Sequence, residues 1–156
     1  MTLIKTYLAD HHMGSVAGID GFHRVAEDHT DPEVRAAVAR LADQIEEDQA
    51  ALEKVLEAFD GSPNPVKDAM GWVVEKATRL KPNKRILKRS PLADVLELEA
   101  LTDAVHAKSR GWQLLLELDD PRLNKEELQR LFDRARKQEK ELETLWLRQA
   151  PKLLLE

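Results

Sequence analysis

In four long stretches of this chain, apolar residues recur at alternating steps of three and four, the period of one face of an α-helix. No stretch alternates apolar and polar with period two, and no Asn-Gly or Asp-Gly turn joins β-branched runs, so strands have no support. The chain is therefore expected to be all-α. Its first helix should run from about Leu3 to Asp28, with a stripe at Ile4, Leu8, His11, Ser15, Gly18, Phe22 and Val25. Three interior glycines, Gly14, Gly18 and Gly21, sit in it, each costing about 1 kcal/mol against alanine. They call for a compensating reason: close approach of a neighbouring helix, or room for a ligand.

Local signals divide the rest. Asp31 and Pro32 read as an N-cap and first helical residue, starting a helix with Val34, Val38, Leu41, Ile45, Asp48, Leu52, Val55 and Phe59 on its stripe. Asp60-Gly61 ends it, with the glycine expected in a left-handed cap. Ser62-Pro63-Asn64-Pro65 opens a shorter helix to about Leu80, inside a connection spanning 61–89. Ser90-Pro91 starts the next long helix, with the stripe Leu92, Val95, Glu99, Thr102, His106, Ser109, Trp112 and Leu116. Asn124 to Glu127 resembles a capping box for the last, along Leu128, Leu131, Ala135, Gln138 or Glu139, Leu142, Leu145 and Gln149, with Pro151 as its stop. The picture is a four-helix up-down bundle with a long crossover connection containing a short fifth helix, polar halfway along its seams.

A chain of 156 residues fits one domain, 1–156, and buries roughly 68–70% of its unfolded surface without a staple. The absence of cysteine removes disulfides, thiolate metal sites and cysteine nucleophiles. The N-terminus has no basic segment followed by an apolar run, so no secretory signal is expected and a cytoplasmic location is the default. No window approaches the roughly 18 uncharged apolar residues of a membrane span. A net charge of -5 argues against general nucleic-acid binding. Nothing reads as a nucleophile with its base, and Gly14-x-x-x-Gly18 follows no strand, so it is no phosphate loop.

Two hairpins of long helices joined by one lengthwise crossover resemble the ferritin-like superfamily. That resemblance implies a bundle with a polar centre. Its di-iron members place a glutamate on each of two helices and Glu-x-x-His on each of the other two. Here the second long helix offers Asp43, Glu46, Glu47 and Asp48, and the last offers Glu139, Glu141 and Glu143, all without histidine. The pairs Asp20/His23 and Asp103/His106 fall on the other two helices, with both aspartates off the core stripe. The family's metal set is therefore not carried over.

Three constellations remain. Folding places His11 and His12 level with Asp48 and Gln49, near the turn from His106 to Ser109 and near Arg136. Such a cluster reads as an iron, manganese or zinc site, with His11, Asp48, Glu99 and His106 as candidate ligands. The simpler and favoured reading is a hydrogen-bonded or ion-paired core in which Asp48 meets a histidine, Lys108 or Arg136 and sets helix register without a metal. Gly14 and Gly18 mark either close helix packing or a cavity for an apolar ligand. Lys76, Arg79, Lys81, Lys84, Arg85, Lys88 and Arg89 form a basic run beside Trp72, suited to an anionic membrane surface or nucleic acid, or simply to a solvated crossover. The leucines of 153–155 suggest self-association as a homo-oligomer. Together these features point to a non-catalytic binding or structural protein with a buried polar core, with a metal-dependent oxidase or storage protein as the alternative.

Overall fold

The computed structural model describes residues 2–62 and 89–156. They form four helices, α1 (Leu3–Asp28), α2 (Pro32–Ala58), α3 (Pro91–Glu117) and α4 (Lys125–Leu155), with no strand among the described residues. At 1.5 Å per residue the first three rods are about 40 Å long and the last about 46 Å. The expected short fifth helix, and the crossover that would hold it, lie outside the described residues.

Side-chain caps place the helix starts where the sequence puts them. Asp31 accepts from the Glu33 N–H at 2.7 Å, Ser90 from the Ala93 N–H at 3.2 Å and Asn124 from the Glu127 N–H at 3.1 Å. Pro32 and Pro91 follow at first positions, where a missing N–H breaks no helical bond. Two ends differ from expectation. At the close of α2 it is Asp60, at φ 56°, that takes the left-handed conformation, and the Gly61 N–H then reaches back to the Leu56 carbonyl at 2.8 Å. Glycine is needed at 61 because a Cβ there would lie 2.9 Å from that carbonyl oxygen. Pro151 does not end α4, which continues to Leu155. A proline here removes the N–H bond to the Leu147 carbonyl and crowds that carbonyl, and this stretch is solvent-exposed, where water can take the place of the lost bond.

Cross-helix pairs fix the directions. His12 meets Glu53, and His23 meets Glu46, so α1 and α2 are antiparallel. Gln149 bonds Asp31 and Gln138 bonds Asp48, so α4 runs against α2. Gly21 faces Leu101 and His11 faces Gly111, so α1 opposes α3. Thr30 meets Asp94 and Asp48 meets Lys108, which makes α2 and α3 parallel, with the end of α2 and the start of α3 at opposite ends of the bundle.

Two apolar clusters fill the interior. One, around Phe22, Val38, Leu41, Leu98, Leu101 and Leu142, lies toward the α1–α2 turn. The other, around Leu8, Leu56, Phe59, Leu115, Leu128 and Leu131, lies toward the α3–α4 turn. Between them sit the buried polar residues His12, Asp48, Ser109 and Gln138. The stripes expected on α1, α2 and α4 face inward, but that of α3 does so only in part. Val95, Ser109 and Trp112 are buried as expected, whereas Glu99, Thr102, His106 and Leu116 are half-buried and Leu92 is exposed, and Leu98, Leu101, Val105 and Leu115 are buried as well. Leucine and valine occur around most of this helix, and packing against both α1 and α4 selects a face that periodicity leaves ambiguous.

Candidate functional site

A cavity of about 140 Å³ opens beside the polar midsection, between α1, α2 and α3. Its α1 wall carries His11, Gly14, Ser15 and Gly18; its α3 wall carries Ala104, Ala107, Lys108, Gly111 and Trp112. Small residues at helical spacing on both walls leave a gap where longer side chains would have met. A Cβ built on Gly14 or Gly18 meets nothing within 4 Å. Close packing, the other explanation expected for this pair, is therefore not what these two glycines provide. It applies instead to Gly111, where a Cβ would stand 3.1 Å from the His11 ring, and to Gly21, 3.2 Å from Leu101.

Asp48 is 2% exposed and forms the polar edge of this space. Lys108 Nζ donates to its Oδ2 at 2.5 Å, Arg134 Nε donates to its Oδ1 at 3.0 Å, and Gln138 Nε2 donates to Oδ2 at 3.2 Å. Lys108 also donates to Gln138 Oε1. One buried carboxylate thus faces two cations from different helices. Burial lowers the Lys108 pKa, the adjacent Asp48 opposes that shift, and the like charge of Arg134 adds to it. Arg134 reaches outward as well, to Glu47 at 2.9 Å. Ser15 accepts from Gln49 Nε2 at 2.9 Å, tying α1 to α2 at the same level. Tyr7 packs edge-on against His11 with ring centres 4.6 Å apart. Burial, reinforced by the neighbouring Asp10 carboxylate, raises the Tyr7 pKa and keeps the phenol neutral.

Of the four candidate metal ligands, His11 and Asp48 line the cavity. His106 does not join them: its side chain is 42% exposed, and its Nδ1 pairs with Glu139 Oε1 at 3.0 Å. Glu99 is half-buried elsewhere on α3. Among the described residues no group of three or more His, Asp or Glu side chains is placed to hold a metal ion. The ion-paired arrangement is present with Lys108, and its arginine is Arg134 rather than Arg136, which pairs with Glu139. Arg134 and Trp112 complete the site without having been singled out for it. The available signal was the series Ala104, Ala107 and Gly111, which matches the small residues of α1 in spacing.

Of the basic run, Arg89 lies among the described residues and is engaged internally, with Asp94 at 2.6 Å and Glu97 at 2.7 Å. Lys76, Arg79, Lys81, Lys84, Arg85 and Lys88, with Trp72, lie outside them. No helix among the described residues is long and apolar enough to cross a membrane. Compared with models of protein families, with curated proteins and with solved structures, the chain matches none.

Proposed function

We propose that this protein is a ferritin-like helical bundle that binds a small, largely apolar molecule in the cavity between α1, α2 and α3. The observation that carries the reading is the pair Gly14 and Gly18. Both stand inside a helix, where glycine costs about 1 kcal/mol against alanine, and both border open space rather than a close-packed neighbour. At about 140 Å³ the space is close in volume to an apolar cavity that takes up benzene; it is partly open, and its exposed lining is mostly apolar. The antiparallel hairpins α1–α2 and α3–α4, with α2 and α3 parallel, support the ferritin-like arrangement.

Benzene is the first probe. At a free concentration of 100 times its Kd it should stabilise the fold by about 2.7 kcal/mol, raising Tm by roughly 5–10 °C. Gly18→Leu and Gly14→Leu place a side chain into the cavity and should abolish that rise. An unchanged Tm in the wild-type protein, with no chemical-shift change at cavity residues, would remove the proposal.

A further inference from the structure

The outer face of α3 differs from that of α2. No large apolar side chain of α2 is exposed, whereas on α3 Leu92 and Leu96 are each 51% exposed and Leu114 is 47% exposed. Ala100 and Ala107 are exposed between them, with Asp103 and Arg110. Because Leu98, Leu101, Val105 and Leu115 are buried on the inner side, α3 is apolar around most of its circumference, the pattern of a helix covered all round. An exposed apolar stripe of this kind marks a contact surface.

The spacing of the stripe is that of a seam between helices. Leu96, Ala100, Asp103, Ala107, Arg110 and Leu114 follow one another at alternating steps of four and three, the period at which one helix packs along another. The seam is also complementary to itself when inverted. Leu96 and Leu114 lie equally far on either side of residue 105, so a two-fold axis there sets each Leu96 against the Leu114 of a second copy. The midpoint of Asp103 and Arg110 falls about 2 Å along the helix from the same axis. In that register each Arg110 stands only about 4.5 Å further along the helix than Asp103 of the other copy, within reach of its long side chain. Alanine at 100 and 107 leaves room in the middle for the two backbones to approach. Neither charge is committed elsewhere: Arg110 donates to His106 Nε2 at 3.2 Å rather than to a carboxylate, and Asp103 has no ion pair among the described residues. A parallel pairing would set Asp103 against Asp103 and Arg110 against Arg110, which like-charge repulsion disfavours.

From this self-complementarity we infer that the occupant of the outer face of α3 is a second copy of this chain, packed α3 against antiparallel α3, with the Asp103–Arg110 pair formed twice. The apolar seam holds the copies together and the two ion pairs set direction and register. The inference is independent of what the cavity binds.

Sedimentation velocity on the full chain, from about 1 to about 100 μM, reads the association. The wild type should pass from monomer to dimer within that range. Asp103→Arg and Arg110→Asp each bring like charges together at both symmetric contacts, and each should weaken dimerisation about tenfold or more. Both residues are exposed, so both variants keep the fold. Mixed in equal amounts, the two variants again face each other with opposite charges at both contacts, and the mixture should recover the dimer of the wild type. Leu114→Glu, which sets a carboxylate against Leu96, should leave a monomer. A wild type that stays monomeric throughout overturns the inference, as does a dimer that none of these substitutions weakens, since it would lie on another face. A mixture that associates no better than either charge variant alone overturns it too.

Discussion

Gly14 and Gly18 occupy helical positions where alanine is the better residue by about 1 kcal/mol, and neither has a positive φ that would require glycine. A methyl at either position enters open space. Gly14→Ala and Gly18→Ala should therefore each raise the unfolding free energy by about 1 kcal/mol, seen as roughly 2–4 °C in Tm. Gly111→Ala should not, because its methyl would press on the His11 ring at 3.1 Å and the ring must shift. The three variants separate two reasons for a helical glycine that look identical in one dimension. Loss of stability in both Gly14→Ala and Gly18→Ala would mean that a neighbouring helix closes on α1 and that the cavity is filled. Residue-level reading could name the glycines but not choose between these reasons, since the choice depends on how far α3 stands from α1 at each level.

Between elements, Asp48 is the tie: a side chain on α2 held by Lys108 from α3 and by Arg134 and Gln138 from α4. Removing the carboxylate leaves Lys108 without its ion partner and Arg134 with Glu47 alone, whereas removing one cation leaves a paired carboxylate. Asp48→Ala should accordingly cost about 3–5 kcal/mol, and Lys108→Met about 1 kcal/mol or less, measured by denaturant unfolding. Equal losses in the two variants would show that the network does not hold the helices in register. How much of this was legible depends on range. The caps at Asp31, Ser90 and Asn124 are local and could be read directly, as could the inward face of α2 with Asp48 on it. The buried face of α3 could be read only in part, at Val95, Ser109 and Trp112, because leucines at 92, 96, 98 and 101 satisfy more than one helical stripe. The partner arginine is displaced by two residues, from Arg136 to Arg134, which on a helix is a different face. Pro151 misled for a related reason: its effect depends on whether the abandoned carbonyl meets water.

Across the whole molecule, the two hairpins are latched at one end by the turn after α1. Thr30 Oγ1 and Arg89 Nε both donate to Asp94, which is fully buried at the start of α3. His29 is buried beside them; its Nδ1 accepts the Asp31 N–H at 3.1 Å, so in the neutral ring Nε2 carries the proton, 3.9 Å from Asp94 Oδ1. Asp94, Arg89, Asp31 and Glu97 are the charged groups around it. Burial lowers the His29 pKa, and although Asp94 pulls it upward and Arg89 pushes it further down, the net shift is downward. The unfolded chain therefore takes up the proton first as pH falls below the ordinary histidine value of about 6.5. Stability contributed by the neutral ring is complete above that pH and is lost as pH drops toward the folded pKa, at no more than about 1.4 kcal/mol per pH unit. His29→Gln keeps an acceptor for the Asp31 N–H but removes the titration. Unfolding free energies compared between pH 7 and about 5, above the main carboxylate range, should then fall less steeply with decreasing pH in the variant than in the wild type. His11, His12, His23 and His106 are common to both proteins and cancel in that comparison. Identical slopes would mean that His29 protonates without strain and that the latch is indifferent to its charge.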